Sequence, residues 1–238
     1  IAPLVLLFLR NPGSPQAQSS LASEKSGAAA VQFTLAQALK TPAFWIFGGA
    51  TALFGLVSSG LGLFNEAVLA ERGFDRNAFH NFLAVTTFAG LLGQLLCGWL
   101  ALRQSLRRLM GVAMLLYSSA LILLPLIRSF PQLWTLAVLI GTAAGFITVI
   151  FFAIWSHAFG RAHLGRIQGA AQILTVLASA VGPLLFAQCA AVTGSYTPLL
   201  WGLACIVLIL AVASWNATLP KLPADDETVP AHPAVARP

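Results

Sequence analysis

The amino-acid sequence predicts an all-α membrane protein whose six transmembrane helices form two inverted three-helix repeats. Composition is the first observation behind this. Of the 238 residues 58% are hydrophobic and only 8% are charged, and mean hydropathy is +0.84. A soluble domain carries about 25% charged residues, so most of this surface is expected to meet lipid. Segment length is the second. Six apolar stretches, near 43–66, 78–101, 108–127, 132–156, 167–192 and 197–217, each reach the ~20 residues a helix needs to cross a bilayer core. None carries Asp, Glu, Lys or Arg well inside its ends. Lipid offers backbone groups no partners, so each span must satisfy its own, and helices are the structure that does so.

The remaining segments follow in order. Residues 1–10 are apolar but too short to span, and are expected to be the end of a helix that begins upstream. Residues 11–40 form a Pro/Ser-rich linker, within which 33–40 predict a short amphipathic helix on the membrane surface. Pro42 suits the first turn of the first span. Residues 41–219 hold the six-helix bundle, and the Pro-rich stretch 220–238 is expected to be a disordered cytoplasmic tail.

Charge sets orientation. Arg10, Lys25, Lys40, Arg103, Arg107, Arg108, Arg161, Arg166, Lys221 and Arg237 fall on one side of the predicted topology, and Arg72, Arg76 and Arg128 on the other. Basic loops stay cytoplasmic, which puts both ends of the segment inside and suggests a plasma (inner) membrane. The net charge of +6 is thereby a record of topology, and its scatter through short loops excludes a nucleic-acid partner. Trp45, Trp99, Trp134, Trp155 and Trp215 lie near span ends, where indole rings prefer the headgroup level. Cys97, Cys189 and Cys205 sit in apolar runs and read as small buried hydrophobes. They have no metal-ligand spacing, and nothing in the sequence calls for a metal or cofactor.

The first and fourth spans align faintly, Gly55 with Gly141, as inverted repeats require. The third and sixth spans are almost purely aliphatic and are expected to face lipid. The other four carry Gly, Ser, Thr, Asn, Gln and His, which avoid lipid, and are expected to enclose a polar path for a small-molecule solute. Candidates for lining it are Ser59, Phe64 and Asn65 in the first span, Thr86 and Thr87 in the second, and Thr148 in the fourth. The fifth span adds Gln172, Thr175 and Ser179, which share a helical face with Gln168. Gly141 and Gly145 have the spacing of close helix packing. Gly182 and Pro183 mark a candidate hinge. Glu66, His80 and His157 are the candidates for proton coupling.

Three segments carry a resemblance to a known family. Gly98, Arg103, Arg107 and Arg108 resemble the loop between the second and third helices of each half of the major facilitator superfamily, with Leu102 where that family has an Asp. Pro42, Phe44, Trp45 and the run from Gly60 to Glu66 look like the seventh helix of its oxalate–formate and monocarboxylate-type members. Gly165 to Gly169, followed by Gly182 and Pro183, is similar to their eleventh. The resemblance implies the C-terminal half of a twelve-helix transporter, with an N-terminal six-helix half as partner and the Gly98–Arg108 loop as a cytoplasmic gate. It further implies alternating access, with a small carboxylate as one substrate class. Two other classes fit six spans: a non-transporting scaffold or receptor subunit with a closed bundle, and an intramembrane serine protease built on Ser58 or Ser59. The protease needs a His within hydrogen-bond reach, and His157 is expected toward the cytoplasmic end, with Ser58 and Ser59 nearer the middle or outer half.

Overall fold

The computed structural model describes residues 33–218. The expected helix end at 1–10, the linker up to residue 32 and the tail at 220–238 lie outside the described residues. Among the described residues seven α-helices follow one another: α1 (Leu35–Leu39), α2 (Pro42–Ala70), α3 (Arg76–Ala101), α4 (Leu106–Leu123), α5 (Phe130–Phe159), α6 (Leu164–Thr193) and α7 (Thr197–Asn216). A 3-10 turn, Leu124–Leu126, extends α4. The helices α2 to α7 are long and apolar enough to cross a membrane, and they match the six predicted spans to within a few residues.

Local chemistry fixes the helix starts. Thr34 and Gln37 exchange hydrogen bonds in a capping box that opens α1. The Phe33 N–H donates to the Phe159 carbonyl at 3.0 Å, which seats this short helix on the end of α5. Thr41 caps α2, and Pro42 occupies its first turn. Asp75 caps α3 by accepting from the Ala78 N–H at 2.9 Å. Gly194 ends α6 in the left-handed region at φ 69°, a conformation that a side chain disfavours.

Three helix pairings dominate: α2 on α6, α3 on α5, and α4 on α7. Exchanging the two triplets turns the first pairing into the second and returns the third to itself. This is the two-fold relation that inverted repeats impose. The Gly55–Gly141 match has the same geometry on both sides. A Cβ on Gly55 would lie 3.2 Å from the Thr175 carbonyl of α6, and one on Gly141 would overlap the Thr86 carbonyl of α3. Each glycine thus lets the first helix of one triplet touch the second helix of the other, and Gly145 extends the α5–α3 seam onto the Gly90 carbonyl.

The third-span expectation is corrected. In the most apolar stretch of α4, 61% of residues are buried, against 17% for α3 and 11% for α6. The cause is that aliphatic side chains suit a protein interior as well as lipid, so hydrophobicity alone does not choose between them. Small residues decide it: Gly111, Ala113, Ser118 and Ala120 are buried in α4, and Ser118 donates to the Ala204 carbonyl of α7 at 2.9 Å. Such interhelical bonds average about 0.6 kcal/mol. The sixth span keeps a strongly exposed apolar strip, with Ile209 at 67%.

Trp155 also departs from expectation. It is fully buried, stacked on Phe159 at 6.1 Å and tilted against Phe44 at 5.5 Å. It therefore belongs to an aromatic core near the basic end, whereas Trp45, Trp99 and Trp215 are exposed as an interfacial belt requires. Of the cysteines only Cys97 is buried; Cys189 is half-buried and Cys205 exposed.

Candidate functional site

A cavity of about 170 Å³ lies between α2, α5 and α6. Its polar lining is Thr51 from α2, Thr148 from α5, and Gln172 and Thr175 from α6. Phe54, Ile147, Phe151 and Phe152 complete the wall. All these residues fall within about a dozen positions of the basic end of their helices, which places the cavity roughly 10–18 Å along the helix axes from that end. The helices that contribute are the first of each triplet, joined by the second helix of the later one.

The sequence places Thr148, Gln172 and Thr175 together, and the structure puts all three on this wall. Thr51, Phe54, Phe151 and Phe152 were missed. Their signal is helical spacing. Phe54 follows Thr51 by three residues, and Phe151 and Phe152 follow Thr148 by three and four, which sets each group on one face.

Hydrogen-bonding gives the wall its character. Thr51 Oγ1 donates to the Phe47 and Gly48 carbonyls at 3.1 and 3.0 Å. Thr148 Oγ1 donates to the Ala144 carbonyl at 2.8 Å, and Thr175 Oγ1 to the Ala171 carbonyl at 3.1 Å. A carbonyl has no proton to give, so each hydroxyl commits its own and keeps lone pairs as acceptors. The exposed Gln172 amide has no partner among the described residues. Among the described residues no Lys, Arg, Asp or Glu lines the cavity.

Other candidates fall elsewhere. Ser59 Oγ contacts the Ser179 carbonyl at 2.6 Å and the Leu56 carbonyl at 3.0 Å. Ser179 Oγ donates to the Thr175 carbonyl at 2.8 Å. Both serines therefore hold the α2–α6 seam. The Gln168–Ser179 stripe divides where α6 closes on α2: its middle faces the cavity and its far end the seam. A Cβ on Gly182 would overlap the Leu56 carbonyl, and α6 runs through Pro183 as one helix, so Gly182 serves close packing in this conformation. Phe64 stacks on Phe186 at 6.3 Å and lies 5.8 Å from Tyr196, in an aromatic cluster at the end opposite the basic loops. Asn65 is half-buried nearby. Thr86 donates to the Phe82 carbonyl at 2.8 Å inside the α3–α5 seam, and the exposed Thr87 donates to the Leu83 carbonyl at 2.9 Å.

None of the three coupling candidates reaches the cavity lining. His80 and His157 are exposed, and Glu66 pairs with Arg76 at 3.4 Å with half of its side chain accessible. An exposed pair of this kind contributes about 0–1 kcal/mol. Glu66→Gln is therefore expected to leave both stability and the pH profile of solute uptake unchanged, as measured by thermal unfolding and uptake between pH 5 and 8. A flattened pH profile would restore the coupling role.

At the basic end Arg103 lies over the Trp99 ring at 4.8 Å. Arg107 donates to the Ala217 carbonyl at 3.1 Å, tying the start of α4 to the end of α7. Arg108, Gly98 and Leu102 are exposed. Ser58 shares a hydrogen bond with Tyr117 at 3.2 Å, and Ser59 is committed to carbonyls, so neither serine is paired with a histidine among the described residues. The sequence matches the family profile described as Major Facilitator Superfamily over residues 47–238. No curated protein matches the chain.

Proposed function

Because the chain belongs to the major facilitator superfamily, a family of membrane transporters, we propose that it moves a small solute across the membrane by alternating access. The observation that carries this reading is the convergence of Thr51, Thr148, Gln172 and Thr175 on one cavity. Polar side chains are costly against lipid and concentrate along solute pathways. The cavity's lining by the first helix of each triplet fits a site between repeats. A volume of 170 Å³ is below the ~300 Å³ of an ordinary ligand pocket. In this reading a second six-helix half supplies the facing wall, and the two halves rock around the solute. The basic loops lie in the cytoplasm by the positive-inside rule, in a plasma membrane. The resemblance to oxalate–formate carriers makes a carboxylate one substrate class, but this wall offers it no cation.

Cysteine labelling tests the reading. Single cysteines replace Gln172, Thr175, Ile122 or Ile209 in a chain whose native cysteines are alanine. A membrane-impermeant thiol reagent is expected to label positions 172 and 175 at least tenfold faster than 122 and 209, since thiolates form only where water reaches. The reverse order would overturn the wet pathway and favour a closed scaffold.

A further inference from the structure

We propose that the cavity is built to hold the cationic end of an organic ammonium solute rather than a carboxylate, an inference that rests on the transport reading above. The polar groups of the wall are unevenly matched. Thr51, Thr148 and Thr175 each give their proton to a backbone carbonyl of their own helix. Thr51 is buried, so the half-buried Thr148 and Thr175 are the hydroxyls that meet a ligand, and they meet it as acceptors. Among the described residues of the lining, Gln172 alone has N–H groups left to donate. An anion on this wall would meet two sets of hydroxyl lone pairs and one donor side chain. An ammonium brings up to three N–H donors, the complement of what the threonines present.

The apolar part of the wall agrees. Phe54, Phe151 and Phe152 line the same cavity, and aromatic rings attract cations through their quadrupole at ranges up to about 6 Å. Carboxylates gain nothing comparable. No fixed charge opposes the assignment within the lining. The nearest cation along α6 is Arg166, which is exposed and lies roughly 9 Å down the helix from Gln172. At physiological salt a solvated charge beyond about 8 Å is largely screened.

The test uses the full chain in lipid nanodiscs and three probes of similar size: propylammonium, propionate and 1,2-propanediol. Binding is read by saturation-transfer NMR for the native chain and for Gln172→Glu and Gln172→Lys. Gln172 is exposed and has no partner among the described residues, so both variants keep the fold, which size-exclusion chromatography checks. Propylammonium is expected to bind tightest to the native chain. Gln172→Glu is expected to tighten it about tenfold through one new charge pair, and Gln172→Lys to reverse the order in favour of propionate. Tighter binding of propionate or propanediol to the native chain would overturn the ammonium assignment while leaving a solute site in place. Absence of binding by all three probes, with no response to either variant, would overturn the site itself and the transport reading with it.

Discussion

Gly145→Ala is expected to destabilise the bundle by about 3 kcal/mol, the upper end of the cost of overpacking a tight interior. The reason is the kind of atom that the new methyl meets. It would overlap the Gly90 carbonyl and lie 2.8 Å from the Gln94 nitrogen and 3.0 Å from the Gly93 carbonyl carbon. All three are backbone atoms, which cannot rotate aside as a side chain can. Relief requires α5 to move away from α3 along the whole seam, and dispersion contacts fall off steeply over such a gap. Without a hydrophobic force between helices in lipid, this packing is most of what holds them together. Gly182→Ala meets the Leu56 carbonyl in the same way on the α2–α6 seam and should behave alike. Gly202→Ala is the control, since nothing lies within 4 Å of its added carbon, and it should stay within about 0.5 kcal/mol of the parent. Denaturant unfolding in mixed micelles measures all three. Equal midpoints for Gly145→Ala and Gly202→Ala would remove the seam from the account.

These seams show what a sequence reveals about such a fold. The Gly141–Gly145 spacing was legible because close helix contact demands small residues at one-turn intervals, and composition records that demand directly. Span positions were legible because bilayer thickness fixes their length. The orientation of each polar residue was not. Ser59 and Thr148 are both small hydroxyls in apolar helices, and only the crossing of α2 over α6 sends one into a seam and leaves the other on a cavity. Trp155 and the buried face of α4 misled for a related reason. An indole near a helix end suits both a headgroup layer and an aromatic core, and leucine is at home in either lipid or protein. The phenylalanines of the cavity wall carry no polarity that sets them apart from lipid-facing neighbours in an apolar helix, and only their spacing from Thr51 and Thr148 marks them.

Thr148→Trp is expected to abolish transport, with at least a hundredfold loss of uptake, while the protein still folds. Thr148 lines the cavity from α5 and is half-buried. Among the described residues its hydroxyl bonds only to the Ala144 carbonyl of its own helix. Removing that hydroxyl orphans no interhelical partner, so the stability cost is small. The indole extends into open space of about 170 Å³ rather than into packed atoms, unlike the methyl at Gly145. What it displaces is the solute. Thr87→Trp provides the contrast: Thr87 is exposed on α3 and also bonds within its own helix, so added bulk there blocks nothing in the cavity. The measurement is uptake of a panel of radiolabelled amines, polyols and carboxylates into proteoliposomes carrying the full transporter, under an imposed proton gradient. Chromatographic monodispersity confirms folding of each variant. Loss of flux in Thr148→Trp with retention in Thr87→Trp would place the solute path through the α2–α5–α6 cavity. Undiminished flux in a folded Thr148→Trp protein would mean that solute crosses elsewhere.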